Sequence, residues 1–137
     1  MIKTLLSPHA DRAYAVLRIV SGLLFAFHGA QKIFGVLTEY QTKVGSQAWF
    51  GGLIELAAGL AIALGAFTRW AAFLASGTMA VAYFQFHWKF QGGSQILPGV
   101  NKGELAVVYC FLFLLIACKG AGTWGVDSCR ESKQAAK

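Results

Sequence analysis

Four apolar stretches, each containing or adjoining an ionisable residue, constrain the fold of this chain more than any other feature. They cover residues 13–35, 49–65, 70–90 and 105–118. At about 1.5 Å per helical residue they are long enough, or nearly so, to cross the ~30 Å hydrocarbon core of a bilayer. The sequence therefore predicts an all-α integral membrane protein, an antiparallel up-down four-helix bundle with both termini on the same side.

The length of the chain allows one domain. All 137 residues are expected in a single unit, of which 56% are hydrophobic and 13% charged. We predict membrane-spanning helices over about 13–35, 48–65, 69–90 and 103–119, followed by a short polar tail at 120–137.

Local signals mark several helix ends. Ser7-Pro8 predicts a helix start, with an acceptor side chain at the N-cap and proline at the first helical position. Thr68 is expected to cap the third span, and Asn101 with Glu104 has the pattern of a capping box before the fourth. Residues Asp127–Lys137 are polar and are expected to fray.

Small residues recur on three of the predicted helices where packed helices would need them. They are Gly22, Ala26 and Gly29 on the first helix, Gly52, Gly59 and Ala63 on the second, and Ala72, Ser76 and Ala80 on the third. Because helices in lipid associate through close packing rather than a hydrophobic driving force, these positions predict close helix contacts.

Lysine and arginine near the span ends are distributed unevenly between the two sides of the predicted bundle. Those on the side of the termini are Lys3, Arg12, Arg69, Lys119, Arg130, Lys133 and Lys137. Those on the other side are Lys32, Lys43, Lys89 and Lys102. Because cytoplasmic flanks carry the excess of basic residues, we expect cytoplasmic termini in a multi-pass protein of a bacterial-type inner membrane.

The net charge of +6 does not indicate a nucleic-acid partner, because the basic residues form no stripe interleaved with aromatic side chains. Anionic lipid headgroups are the expected electrostatic partner. The cysteines Cys110, Cys118 and Cys129 lack the spacing of a zinc site and the number of a disulfide framework. We predict neither a metal site nor a catalytic residue set.

Most polar residues within the spans are expected in one half of the bundle. By helical rise, His28 lies ~10 Å below the outer end of the first span and Glu55 ~12 Å below that of the second. Lys32 shares a face with His28 because the two are four residues apart. His87 and Glu104 lie within a turn of the outer ends of their helices. Since a charge in hydrocarbon is costly unless paired or hydrated, one outward-opening polar pocket is predicted.

These five residues are the candidates for ligand binding or proton relay. The supporting positions are Arg18, Gln31, Tyr83 and Asn101. Arg18 differs from the others in depth, because it lies toward the cytoplasmic half, where it would snorkel or pair with a neighbour.

Structural interpretations of the same residues stay open. Lys32 has the position of a snorkelling end residue, and Glu104 that of a helix cap. His87 has the position of an interfacial belt residue. Glu55 has no chain end nearby to snorkel to, so its structural alternative is a latch to Lys32 or His28 between the first two helices.

The chain resembles the DoxX family of small four-helix membrane proteins over about residues 12–128. The resemblance is carried by Arg18 with Gly22-Leu23-Leu24-Phe25, His28-Gly29-x-x-Lys32-x-x-Gly35, Glu55 with Ala58-Gly59-Leu60, Gly65-x-x-Thr68-Arg69, Asn101-Lys102-Gly103-Glu104 and Gly120-Ala121-Gly122. The chain departs from the family pattern at Thr123–Asp127. The resemblance implies that Arg18, His28, Lys32, Glu55, Asn101 and Glu104 are the family-type polar residues.

The family takes its name from the small membrane subunit of an archaeal quinone-linked oxidoreductase, and its relatives are associated with membrane redox assemblies. Our first hypothesis is therefore an accessory, anchoring subunit of a membrane redox complex, whose pocket accommodates a quinone headgroup or a lipid. The alternative is a purely structural or assembly subunit of a larger membrane complex. A third hypothesis is haem or pigment binding through His28 and His87. None of them makes the chain a stand-alone catalyst.

Overall fold

The computed structural model describes residues 2–39 and 41–135. Within them the long helices are α1 (Ala10–Phe34), α2 (Gln47–Leu64), α3 (Thr68–Ala82), α4 (Glu104–Lys119) and α5 (Val126–Ala135). Shorter helical turns are Ile2–Leu6 and Ser7–His9 before α1, a π-helical turn Tyr83–Trp88 after α3, and Gly93–Ile96 and Pro98–Asn101 before α4. The prediction of an all-α protein is confirmed.

The four helices α1 to α4 form an antiparallel bundle in which α1 packs on α2, α2 on α3 and α3 on α4. Phe25 of α1 closes the ring against α4, with its ring centre 5.8 Å from that of Tyr109 and 4.7 Å from that of Phe113. Ser76 of α3 donates a hydrogen bond to the carbonyl of Cys110 in α4, at 2.8 Å. Each predicted span overlaps one of these four helices.

The α1–α2 interface is a close helix contact made by glycines. A Cβ atom added at Gly22 would lie 2.6 Å from the backbone nitrogen of Ala63, and one added at Gly29 would lie 2.6 Å from the carbonyl oxygen of Gly52. From the other side, a Cβ at Gly59 would lie 2.7 Å from the carbonyl oxygen of Gly22. The backbones therefore touch directly, as the small residues predict.

Large apolar side chains cover the outside of the bundle, while several polar ones are buried. Leu24, Phe73 and Phe111 are each more than half exposed, whereas Arg18 and Glu55 are buried. Water-soluble proteins rarely bury such residues fully. The distribution suits a surface that faces lipid and an interior that holds the polar groups.

Among the described residues, two continuous helical segments are long and apolar enough to cross a membrane. One is Thr4–Phe34, which includes α1 and the turns before it, and the other is Gln47–Leu64, which is α2. The helices α3 and α4 are shorter, with 15 and 16 residues.

Arg18 holds the C-terminal end of α2. Its Nη1 donates to the carbonyls of Ile62 at 2.5 Å and Ala63 at 2.7 Å, and its Nη2 donates to the carbonyl of Trp124 at 3.2 Å. Of the two expectations for Arg18, snorkelling and pairing with a neighbour, snorkelling does not occur, because Arg18 is fully buried. Instead the guanidinium satisfies carbonyls that have no partner within the helix and lies at the negative end of its dipole.

The C-terminal end of α4 is closed in a similar way. Arg69, at the start of α3, donates to the carbonyl of Ala117 at 3.0 Å and to that of Cys118. The hydroxyl of Tyr14 donates to the carbonyl of Gly120 at 2.6 Å. Side chains from α1 and α3 therefore supply hydrogen bonds to the carbonyls at the C-terminal end of α4.

Asp127 of α5 caps α3. Its carboxylate accepts from the backbone N–H of Phe67 at 2.9 Å and from the backbone N–H and the hydroxyl of Thr68 at 2.8 Å each. Its own N–H donates to the carbonyl of Gly65 at 2.9 Å. The prediction that Thr68 is the N-cap was wrong, because Phe67 holds that position and the capping oxygen comes from Asp127.

Two predicted helix ends were also wrong. Ser7-Pro8 lies in a 3-10 turn that joins Ile2–Leu6 to α1, so it does not open a helix. Pro8 is tolerated there because a missing N–H costs little in the first turn. The stretch expected to fray from Asp127 forms α5 as far as Ala135, because Asp127 anchors its first turn. Residues 136 and 137 lie outside the described residues.

Burial by itself would raise the pKa of Asp127, but the hydrogen bonds from Thr68 and Phe67 outweigh it and hold this pKa below the ordinary value of 3.8. Because the folded pKa is depressed, the contribution of Asp127 to stability is present above 3.8 and is lost as the pH falls through the folded value.

We expect Gly59→Ala to destabilise the protein by about 1–3 kcal/mol, because the new methyl group meets backbone atoms that cannot move aside independently. Gly51→Ala is the matched control on the same helix, since a Cβ there meets nothing within 4 Å. Reversible unfolding in mixed detergent micelles measures both. Equal stability of the two variants would contradict the direct backbone contact.

We expect Asp127→Asn to lower stability at neutral pH by about 1 kcal/mol, because one amide oxygen replaces a carboxylate that serves three donors. The difference from the wild type should shrink as the pH falls below about 4. Thermal unfolding between pH 3 and pH 7 tests this, with Glu131→Gln on the exposed part of α5 as control. A difference that does not change with pH would show that Asp127 acts through its shape rather than its charge.

Candidate functional site

A polar cavity lies at the end of the bundle opposite Arg18. It has a volume of about 200 Å³ and is lined by side chains from α1, α2, the end of α3 and the start of α4. Four predicted site residues line it together: His28, Lys32, Glu55 and His87. The structure thus brings side chains from three separate helical segments to one place.

Lys32 and Glu55 form an ion pair across the α1–α2 interface. The Nζ of Lys32 lies 2.5 Å from Oε1 of Glu55. The side chain of Glu55 is only 3% exposed, while that of Lys32 is 32% exposed, so the pair spans the boundary between the interior and the surface. Lys32 is therefore held at the cavity rather than extended away from it.

The second carboxylate oxygen of Glu55 is left without a partner. Its Oε2 is buried, and no donor among the described residues reaches it. An unsatisfied buried acceptor costs about 1–3 kcal/mol, more when it is charged. A residue that lines the cavity therefore carries an acceptor without a partner among the described residues.

The last turn of α1 fixes the position of Lys32. The helix ends at Gly35, whose left-handed conformation (φ +66°) suits glycine. The carbonyl of Lys32 accepts hydrogen bonds from the hydroxyl of Thr42 at 2.9 Å and from its N–H at 3.2 Å. The α1–α2 connection is thereby tied to the residue that pairs with Glu55.

His87 reaches the cavity from the π-helical turn. The N–H of Lys89 donates to the carbonyl of Phe84 at 3.0 Å, a bond that spans five residues instead of four. The Nδ1 of His87 lies 3.4 Å from the carbonyl oxygen of Asn101. The sequence predicted an ordinary α-helix here, and apart from a run of aromatic residues it contains no signal for a π turn.

Tyr83 and Asn101 hold the loop before α4. The hydroxyl of Tyr83 donates to the carbonyl of Ile96 at 2.5 Å, and the amide of Asn101 donates to the carbonyl of Gln95 at 2.9 Å. Through Lys102 this loop contributes to the cavity wall. Tyr83 and Asn101 support the site without lining it.

Glu104 does not join the cluster. It is exposed at the start of α4 and does not line the cavity. The predicted capping box was wrong, because Gly103 is the N-cap and the side-chain oxygen of Asn101 accepts from the N–H of Gly103 at 2.8 Å. The short helix that ends at Asn101 places this residue outside the first turn of α4.

Two further predicted residues lie elsewhere. Gln31 is half-buried near the end of α1 and does not line the cavity, and Arg18 lies at the opposite end of the bundle. Conversely, Lys102 and Tyr109 line the cavity although sequence reasoning did not assign them to it. The three-residue spacing of Ala106 and Tyr109 on α4, both buried, is the signal that could have pointed to Tyr109.

The chemistry available in the cavity is hydrogen bonding to a small polar group. Lys32 and the imidazoles of His28 and His87 supply donors, and the unpartnered oxygen of Glu55 supplies an acceptor. Among the described residues, no group of three or more His, Cys, Asp or Glu side chains is arranged to hold a metal ion.

Comparison with known proteins gives a family match and a related protein. The DoxX family model matches residues 13–88. An uncharacterised protein of Haemophilus influenzae is 38% identical over 118 residues, which cover 83% of this chain and 87% of the relative. No solved structure matches the chain. The matched range of the family model contains His28, Lys32, Glu55 and His87.

Proposed function

This chain belongs to the DoxX family of membrane proteins, and from that premise we propose that it spans a bacterial-type inner membrane four times and binds a quinone headgroup in its polar cavity. In this proposal the protein is an accessory, anchoring subunit of a membrane redox complex. The observation that carries it is the unpartnered, buried Oε2 of Glu55, a residue that lines the cavity together with the donors Lys32 and His28.

The lengths of the helices support four membrane spans. The π-helical turn extends α3 to Trp88, so the continuous helical segment from Thr68 is ~31 Å long. The 16 residues of α4 reach ~24 Å, which a locally thinned bilayer accommodates. The excess of lysine and arginine beside the termini supports their cytoplasmic location.

Cysteine labelling tests the proposed topology. With Cys110 and Cys118 replaced by alanine, Cys129 is exposed on α5, and a membrane-impermeant maleimide should label it in inside-out vesicles but not in intact spheroplasts. Lys102→Cys in a variant without other cysteines is the matched control, and it should label only from the outside. Labelling of Cys129 in intact spheroplasts would overturn the cytoplasmic location of the termini.

The cavity matches a quinone ring in chemistry and size. A quinone has two opposed oxygens, and its reduced form carries two hydroxyl groups. In this proposal Lys32 and His28 donate to one oxygen, and Glu55 accepts from a hydroxyl of the reduced form. Pockets for complete small molecules are usually ~300–1,000 Å³, so a cavity of about 200 Å³ suits a headgroup alone. The same size disfavours haem or pigment ligation through His28 and His87.

The second candidate function is structural, and the Lys32–Glu55 ion pair favours it. At 2.5 Å across two helices, the pair would latch α1 to α2 within an assembly subunit. A latch depends only on opposite charges, whereas a binding site depends on which charge occupies which position. Exchanging the two residues therefore separates the two functions.

We expect the double variant Lys32→Glu/Glu55→Lys to keep most of the wild-type stability but to bind duroquinone at least tenfold more weakly, because a carboxylate replaces the ammonium that donates to its carbonyl oxygen. Glu55→Gln should weaken binding of the reduced form, duroquinol, by about tenfold, because the hydroxyl of duroquinol loses a charged acceptor. Equilibrium binding to the full chain in lipid nanodiscs, paired with thermal unfolding, measures both quantities. Absence of duroquinone binding by the wild type, with stability restored by the exchange, would favour the structural function instead.

A further inference from the structure

An apolar groove of about 1050 Å³ runs along the surface between α2 and α3. Its walls are large apolar side chains that are more than half exposed, among them Phe50, Phe73 and Trp70. Its depth comes from Gly51 and Gly77, where an added Cβ would meet nothing within 4 Å. These two glycines are not needed for helix contact, unlike those of the α1–α2 interface.

The groove and the polar cavity share their boundary. Lys32, Glu55 and His87 line both of them. The ion pair thus stands between a small polar space inside the bundle and a larger apolar one that opens at the α2–α3 surface. The two spaces are therefore adjacent, on either side of this pair.

Most polar side chains of the groove lie at its cavity end. Lys32, Glu55 and His87 lie there, together with Gln47, which is hydrogen-bonded to Gln85. Farther along, the hydroxyl of Thr78 donates to the carbonyl of Leu74 at 2.9 Å. From there to Trp70 the lining offers apolar surface, over much of the ~25 Å that separates Trp70 from His87 along the helix axis.

We propose that the α2–α3 groove holds the alkyl or prenyl tail of the same molecule whose ring occupies the polar cavity. The ligand is then a single-tailed quinone, and it reaches its site laterally from the bilayer between α2 and α3. This inference rests on the proposed function, because it takes the headgroup site as given.

The distribution of charge favours such a tail over other occupants. A phospholipid would bring its phosphate next to the carboxylate of Glu55, whose free oxygen already needs a donor. A second copy of the chain would need polar groups along its own surface to meet Lys32, Glu55 and Gln47 at one end. A ring with a hydroxyl group that donates to Glu55, together with one apolar tail, satisfies both ends of the groove.

The test compares two probes on the full chain in lipid nanodiscs: duroquinone, which has no tail, and decylubiquinone, which has one. We expect Gly77→Leu to weaken decylubiquinone binding by about tenfold, as expulsion of about two methylene groups would, and to leave duroquinone binding unchanged. The matched control is Ala57→Leu, at an exposed position of α2 outside the groove. It should change neither affinity.

The outcomes distinguish this inference from the proposed function. Wild-type protein that binds neither probe overturns the headgroup site and the tail site together. Wild-type protein that binds both, with decylubiquinone affinity unchanged in Gly77→Leu, overturns the tail site alone. Unchanged affinity together with a loss of dimers in Gly77→Leu would also overturn it and would identify a second copy of the chain as the occupant.

Discussion

The direct backbone contact between α1 and α2 is the constraint on which the candidate site depends. Gly22, Gly29 and Gly59 allow the two helices to touch without side chains between them. At Gly52 an added Cβ would lie 2.9 Å from the Cβ of Lys32, so the lysine side chain runs directly over the neighbouring helix. Only at this separation does its ammonium reach Glu55 at 2.5 Å. The close contact between the two helices therefore also sets the position of the charged pair.

The two ends of the bundle treat buried charge differently. Arg18 donates through Nη1 to carbonyls at the end of α2, and Asp127 accepts from N–H groups at the start of α3, so both charges stabilise helix termini. At the other end Glu55 has one paired oxygen and one free oxygen. Each end also keeps one buried polar atom without a partner among the described residues, Nε of Arg18 and Oε2 of Glu55. Glu55 lines the polar cavity and Arg18 does not, so Glu55 is the candidate for contact with a ligand.

Sequence reasoning worked where the signal lay within one helix. The spacing of His28 and Lys32 places them on one face regardless of the rest of the fold. It failed where a partner comes from a distant segment or where the backbone departs from α-helical geometry. Asp127 caps a helix about sixty residues earlier in the chain, and the π turn alters the direction in which His87 points. Neither feature leaves a pattern in neighbouring residues.

The sequence by itself determined the four apolar helices, the small residues at which helices approach closely, and the restriction of most polar residues to one half of the bundle. These follow from hydropathy and from the helical repeat, which are local properties. Tertiary structure alone decided that Glu104 lies outside the cavity, that Lys102 and Tyr109 line it, and that one oxygen of Glu55 is paired while the other is free. Pairing depends on distances of a few ångströms between separate helices, and only their packing fixes such distances.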